Sequence, residues 1–493
     1  LEHPIIIVGG GLGGLAAAIR LAARGRRVVL LEKNERVGGK LNIVSEAGYT
    51  FDTGPSLLTM PWVLRALFES AGARMEDALE LVPVEPTCRY RWPDGTRFDA
   101  FQSLPLLLQA ISQLDPRDVA GFLRFLAYAE RIYQAVAEPF LLHPFDGLRD
   151  LITPALLRDT WKIDPLRTVD QAVRSFFHSP YLRQVFNRYA TYNGSSPYQA
   201  PATFNLIAYV EFAEGGWYLR GGMYTLARAL ERLAHQLGVE IRTSCPVARV
   251  LVRDSAACGV ILDDGEKLDA AAVIVNADPR YAYQALLPEQ RRTAARLARL
   301  EPSCSGFILL LGIDRTYPDL AHHNIFFSTD YRREFAAIFG KRVPAPDPTV
   351  YVCATSLSDP AHAPPGHTNL FVLVNAPALD KRVNWGREAA GYRDTVIRKL
   401  ERMGLANLEQ HITYERIIAP DDLQMRYNAA GGAIYGLASN APWTAFLRPP
   451  LRARDLRRLY FVGGGTHPGG GIPLVLLSGQ AVAERVLADQ GSA

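Results

Sequence analysis

An α/β fold of more than one domain is what this sequence predicts, on three observations. Its 493 residues exceed what a single hydrophobic core supports. An apolar run from Ile5 to Val8 ends in glycines, leads into a helical pattern from Leu15 to Ala23 and is followed by a second apolar run, Val28 to Leu31, which together make a β-α-β unit. From about Pro302 to Tyr435, strand-like runs such as Phe307 to Leu311 and Leu370 to Val374 alternate with helical stretches and read as a second sheet.

The intervening elements follow in order. Trp62 to Ala71 reads as a helix, and Tyr90-Arg91-Trp92 with Arg97-Phe98 flanks Pro93-Asp94-Gly95 as a hairpin. Leu104 to about Tyr209 is mostly helical. Within it Phe122, Phe125, Leu126, Ala129, Ile132, Tyr133 and Val136 share one apolar face, which serves either an ordinary core helix or a membrane-docking helix. After Gly221-Gly222 come a helix through Leu226 and Leu233, strands at Glu240-Ile241 and Val247 to Val252, a hairpin turning at Asp264-Gly265, and a buried-type strand from Ala272 to Asn276. Pro344 to Pro348 and Pro364-Pro365 read as surface loops.

Composition narrows the function. The formal net charge of +4 comes from 54 basic and 50 acidic residues, a balance that excludes a nucleic-acid footprint and leaves room only for a mild attraction to anionic lipid. The cysteines Cys88, Cys245, Cys258, Cys304 and Cys353 form no C-x-x-C pair, which argues against a metal site or a disulfide scaffold and fits a reducing, cytoplasmic setting. No apolar run reaches the ~20 residues that span a bilayer, and the start lacks a charged segment followed by an apolar one. Neither secretion nor integral insertion is expected.

Gly9-Gly10-Gly11-Leu12-Gly13-Gly14 matches G-x-G-x-x-G with a strand before it and a helix after it. Gly9 makes the tight turn, Gly11 lets backbone approach a pyrophosphate, and Gly14 lets the helix pack closely on the strand. The amides at the helix start face the phosphate charge. Glu32 follows the second strand at the distance expected of a carboxylate that binds an adenosine ribose, and its charge argues against a 2′-phosphate. The motif alone does not separate NAD from FAD. Arg36-Val37-Gly38-Gly39-Lys40 does more, since two glycines between cations just after the ribose carboxylate suit an extended FAD diphosphate.

These residues, with Leu41 and Phe51-Asp52-Thr53-Gly54-Pro55, resemble the flavin-containing amine oxidase and phytoene desaturase superfamily. The stretch Tyr460 to Pro473, with Gly463-Gly464-Gly465-Thr466-His467-Pro468-Gly469-Gly470-Gly471-Ile472-Pro473, is similar to the closing signature of bacterial carotenoid desaturases. Arg220-Gly221-Gly222-Met223, Arg188-Tyr189-Ala190-Thr191-Tyr192 and Ser196-Pro197-Tyr198 extend the likeness, the last two toward desaturases of acyclic, hydroxylated or methoxylated carotenoids. The resemblance implies a Rossmann-like, discontinuous FAD-binding domain with a mixed α+β substrate domain and a helical membrane-associated region. The corresponding division is FAD-binding segments 1–70, 216–295 and 441–493, a substrate and helical membrane-contact region 71–215, and a substrate-binding sheet with helices 296–440. It further implies a cofactor-binding set of Gly9, Gly11, Gly13, Gly14, Glu32, Lys33, Arg36, Gly38, Gly39, Lys40, Leu41, Gly54, Pro55, Ser56, Val247, Gly463, Gly464, Gly465, Gly471, Ile472 and Pro473.

The implied reaction is desaturation of an acyclic carotenoid or its precursor by hydride transfer to FAD, with oxygen or a quinone as electron acceptor. Positioning and exclusion of water then matter more than strong acid–base groups. Arg149 and Asp150 stand at a family position proposed for a base or cation stabiliser, and His467 lies inside the closing motif, where a structural hydrogen bond competes with proton transfer. The tandem His322-His323 reads as structural. At ~0.8 kcal/mol per buried CH₂, moving such a hydrocarbon through water costs on the order of tens of kcal/mol, so substrate is collected from a membrane by a peripheral contact. Leu104 to Ile111 and the face from Phe122 to Val136 are the candidate segments. Three alternatives use the same framework: a flavin-dependent carotenoid cis–trans isomerase, a prenyl-binding protein of the GDP dissociation inhibitor type, and a flavin amine oxidase. Gly464-Gly465-Thr466 departs from the acidic residue that amine oxidases place beside the flavin.

Overall fold

The structure, a computed structural model, describes residues 3–142, 162–441 and 448–491. Its first sheet is parallel and five-stranded, in the order Leu459–Phe461, Ala272–Val275, Ile5–Val8, Val28–Leu31, Glu240–Arg242. Ile5 pairs with both Ala272 and Val28, so the first apolar run lies at the centre. The three inner strands are buried along their whole length, which explains why they read as unbroken apolar runs. Alternate residues still divide the work. Ile5, Ile7, Val28 and Leu30 pack with the helices on one face, while Ile6, Val8, Val29 and Leu31 pack toward the three-stranded sheet Val247–Arg253, Ala256–Leu262 and Lys267–Asp269 on the other.

Helices Leu12–Ala22, Thr225–Gln236 and Ile472–Gly491 supply the first of those faces. The C-terminal helix lies close against the first, because a Cβ on Gly479 would stand 2.6 Å from Cβ of Ala16. That helix begins at Ile472. Pro473 is the reason: in the first turn its missing N–H costs nothing and its φ is already helical.

The second sheet is mixed and seven-stranded, in the order Ile412–Ile418, Ser305–Ile313, Thr368–Ala376, Val350–Cys353, His323–Phe326, Cys88–Arg91, Arg97–Ala100. Every neighbouring pair is antiparallel except His323–Phe326 with Cys88–Arg91, so the hairpin read from the early sequence extends a sheet formed mostly by much later residues. Helix Trp385–Arg402 closes one face over Phe307, Leu309 and Leu311.

The helical region packs on itself. Phe122, Phe125, Ala129, Ile132 and Val136 of helix Arg117–Val136 are buried, with Leu126 and Tyr133 partly so. Phe125 and Phe177 both lie against the Phe186 ring, at centroid separations of 4.7 and 4.4 Å. The expectation that this face docks on a membrane is therefore corrected: its apolar surface is spent on a protein core. In helix Leu104–Leu114, Leu107 and Ile111 are likewise buried, while Leu104 and Leu106 remain 43% and 45% exposed. Among the described residues no helix is long and apolar enough to cross a membrane.

Candidate cofactor and substrate cavity

The loop from strand Ile5–Val8 into helix Leu12–Ala22 is built for backbone approach. Gly9 has φ +104°, and a Cβ there would meet the Asn276 carbonyl oxygen at 2.7 Å. Gly11 is the helix N-cap and carries no side chain to bond the first-turn N–H groups, which leaves them for a ligand. Glu32 is buried at the end of the second strand; its Oε2 accepts from the Gly10 N–H at 2.7 Å and its Oε1 from the Asn34 N–H at 2.8 Å. The carboxylate thus fixes the glycine loop as well as facing the cavity.

A cavity of about 600 Å³ starts at this loop and runs between the two sheets. From the sequence-derived set, Gly9, Gly11, Gly13, Glu32, Lys33, Gly38, Gly39, Lys40, Leu41, Gly54, Pro55, Ser56, Val247, Gly463, Gly464, Gly465, Gly471, Ile472 and Pro473 all line it. Two do not. Gly14 is buried where helix meets strand, with no room for a Cβ beside the Gly9 carbonyl. Arg36 is 42% exposed and pairs with Glu35 at 3.4 Å. Lys40 Nζ donates to the carbonyls of Ala433, at 3.1 Å, and Ile434, at 2.5 Å, and burial brings its ammonium down to about 8.

The Phe51–Pro55 segment is tied to the Gly221-Gly222 turn by Asp52, which accepts from Tyr218 Oη at 2.7 Å and from the Met223 N–H at 3.0 Å. Gly463 has φ +102°, and its N–H donates to Ser478 Oγ at 3.1 Å. The second glycine loop and the start of helix Ile472–Gly491 therefore reach the same cavity as the first.

His467 is not among the lining residues. Its Nε2 lies 2.6 Å from the Phe140 carbonyl oxygen, and its ring meets the Phe140 ring edge-on at 4.6 Å, an arrangement that ties the closing motif to the helical region. Arg149 and Asp150 lie outside the described residues.

Farther in, the cavity is walled by Ile308, Ile325, Phe371 and Leu373 of the second sheet and by Phe204, Leu206, Ile207 and Val210 of the helical region. Two polar groups interrupt these walls. One is a hydrogen-bonded row: Ser56 Oγ to Tyr351 Oη at 2.6 Å, and Tyr351 Oη to His323 Nδ1 at 2.7 Å. Burial, with His322 and Arg188 nearby, holds the His323 imidazole well below its ordinary range. His322, His323 and Cys353 group with ligand-type atoms within 4.8 Å of one another, and His322 Nδ1 lies 2.6 Å from Ser358 Oγ. The other polar group is Arg188, Tyr192 and Glu211. Sequence reasoning singled out Arg188 and Tyr192 only as part of a family likeness and missed Glu211, Tyr351 and Ser56's partner role, since these are isolated polar residues in apolar surroundings.

Two glycine loops, two helix starts and a buried carboxylate on one cavity fit FAD: the first helix start would hold its diphosphate and Glu32 its ribose. Comparison with known proteins agrees. A family model described as flavin containing amine oxidoreductase matches residues 12–487. The chain is 42% identical to 4,4'-diapolycopene oxygenase of Methylomonas sp over 487 residues, 98% of each chain. It is 37% identical to 4,4'-diaponeurosporene oxygenase of Staphylococcus haemolyticus, covering 98% of this chain and 97% of the other. Among solved structures, an oxidoreductase from Methanosarcina mazei superposes with a TM-score of 0.68 at 18% identity, covering 98% of this chain and 100% of that one. A putrescine oxidase variant superposes with a TM-score of 0.66 at 15% identity, over 99% of both chains. At those identities the structures speak for the fold alone.

Proposed function

The chain belongs to the flavin containing amine oxidoreductase family, and from that premise we propose that this FAD-dependent oxidoreductase oxidises an acyclic carotenoid or its precursor at or beside the end of the polyene. The observation that carries the reading is the continuity of the cavity: it passes without a wall from the dinucleotide loops to an apolar chamber between the second sheet and the helical region. Such a chamber suits a long hydrocarbon held against a redox ring, with water kept out.

When bound, FAD supplies the acceptor for a hydride from an allylic carbon and passes the electrons on to oxygen or a quinone. The chain's own part is positional. Gly9, Gly11 and Gly13 with the helix start receive the diphosphate, Glu32 the ribose, and Gly463 to Gly465 with Ile472 the far end of the cofactor. Ile308, Ile325, Phe371 and Leu373 orient the polyene. In the row Ser56, Tyr351 and His323 a proton released from substrate is relayed: the hydroxyl that takes it up passes its own proton along the row to the unprotonated His323 Nδ1.

Oxygenation is favoured by the names of the relatives at 42% and 37% identity, 4,4'-diapolycopene oxygenase and 4,4'-diaponeurosporene oxygenase, and we assign it to the polyene end. For that reaction a terminal methyl and one dioxygen give an aldehyde and water. Desaturation, the removal of two hydrogens from neighbouring carbons, is the second reading, and the motifs Gly9 to Gly14 and Tyr460 to Pro473 favour it by their desaturase likeness. We place the protein as a cytoplasmic, peripherally membrane-associated enzyme that collects substrate through the exposed side of helix Leu104–Leu114, where Leu104 and Leu106 face out.

The test is incubation of the flavin-loaded protein with liposomes carrying phytoene, its C30 analogue, or a fully conjugated acyclic polyene, with and without oxygen. Flavin bleaching without oxygen, coupled to a longer chromophore, identifies desaturation; an aldehyde formed only with oxygen identifies terminal oxidation. A changed isomer pattern with no flavin reduction rejects both in favour of an isomerase. Protein that retains no flavin leaves only lipid carriage.

A further inference from the structure

Arg188 is a cation in the wall of a largely apolar chamber. It stands at the end of helix Pro180–Asn187, is 8% exposed, and lines the cavity. Its guanidinium carbon lies over three tyrosine rings, 5.4 Å from the Tyr90 centroid, 5.3 Å from Tyr189 and 5.2 Å from Tyr192. Nη2 donates to Tyr90 Oη at 3.1 Å and to Tyr192 Oη at 3.5 Å. Nε is buried and has no hydrogen-bond partner. A guanidinium has five N–H donors, and burying one with donors unspent is costly unless something else takes them.

Glu211 decides what kind of group that is. It is 2% exposed and accepts from Tyr189 Oη at 2.8 Å and from Tyr192 Oη at 2.6 Å. The carboxylate balances the guanidinium within one cluster, so the site has no net positive charge with which to recruit an anion. The Tyr192 hydroxyl donates its one hydrogen to Glu211 and has only lone pairs left to offer. The remaining capacity is therefore the unspent donors of Arg188, a residue that lines the cavity, and the group that suits them is a neutral acceptor.

We propose that Arg188, oriented by Tyr192 and Glu211, is the receptor for a neutral carbonyl oxygen at the end of the bound polyene, so that the chamber discriminates in favour of polyene aldehydes over the parent hydrocarbons. The proposal rests on the functional reading above and adds its substrate class. A carbonyl oxygen has two lone pairs, accepts without donating, and matches what the cluster offers. The aldehyde held is either the product of one oxidation or the substrate that carries its first oxygenated end back into the chamber.

The test is equilibrium binding to the flavin-loaded protein in detergent micelles, comparing a C30 polyene aldehyde with the C30 hydrocarbon of the same conjugation length. In the wild type the aldehyde absorption band shifts to longer wavelength on binding, as a hydrogen-bond donor at the carbonyl requires. Arg188→Met raises the aldehyde dissociation constant roughly ten- to a hundredfold, the size of a lost hydrogen bond to a charged donor, and abolishes the band shift. The hydrocarbon constant changes less than threefold. Arg188→Lys, which keeps the charge and loses the planar fork, gives an intermediate aldehyde affinity with a reduced band shift, and it carries the test if the methionine variant does not accumulate. An Arg188 substitution that weakens both ligands equally, or leaves the aldehyde band shift in place, overturns the proposal while leaving the functional reading intact. Wild-type protein that binds neither polyene overturns both.

Discussion

Gly11 and Gly38 lie side by side as an isolated parallel bridge, and the Gly38 N–H donates to the Gly10 carbonyl at 2.8 Å. The loop after the first strand and the loop after the second are thereby a single surface. A Cβ on Gly11 would stand 2.8 Å from Asn276 Nδ2, which itself holds the Gly9 carbonyl at 3.1 Å. Gly11→Ala is accordingly expected to purify with less than a tenth of the wild-type flavin, read as the ratio of flavin to protein absorbance. Full flavin content in that variant refutes the role of the loop.

Glu32 satisfies the Gly10 N–H inside the protein, so Glu32→Ala removes a charged acceptor from a buried donor. The loss is about 1–3 kcal/mol, or roughly a five- to 150-fold weaker FAD affinity, before any ribose contact is counted. Titration of the flavin-stripped protein with FAD checks it. An unchanged affinity would remove Glu32 from the cofactor site.

Phe125→Ala distinguishes core from membrane contact. Phe125 is fully buried against Phe177 and Phe186, and its truncation is expected to cost about 3–5 kcal/mol, seen as a lower denaturation midpoint. The double substitution Leu104→Ser, Leu106→Ser touches exposed positions. It should leave the midpoint within about 0.5 kcal/mol and weaken co-sedimentation with vesicles; unchanged sedimentation would move the membrane contact elsewhere.

Lys40 gives a pH signature. Burial lowers its ammonium to about 8 from the ordinary 10.5, so between those values the unfolded chain binds more protons than the folded one. Stability of the flavin-stripped protein therefore rises with pH from about 8 toward 10.5, and the charging cost is present in full below that window. Lys40→Met should lack the rise. Denaturant midpoints at pH 7, 8, 9 and 10 for both proteins decide it, and parallel profiles would reject the assignment.

The local periodicities of the chain by themselves determined the β-α-β start, the early hairpin, the helical middle and the strand-rich later region, because each depends on residues a few positions apart. The same holds for the glycine loops and Glu32, whose spacing is set by one strand, one turn and one helix. Tertiary structure alone decided the rest. Glu240–Arg242, Ala272–Val275 and Leu459–Phe461 join one sheet with Ile5–Val8 through pairings that no local pattern encodes. An apolar face such as Phe122 to Val136 reports that something covers it and not what; here Phe177 and Phe186 do. Arg188 and Glu211, separated by two turns of chain and a helix, become one charge-balanced cluster only when Tyr189 and Tyr192 bring them to the same cavity wall. A buried charge is paired by whatever folding places beside it, and that neighbour is a property of three dimensions.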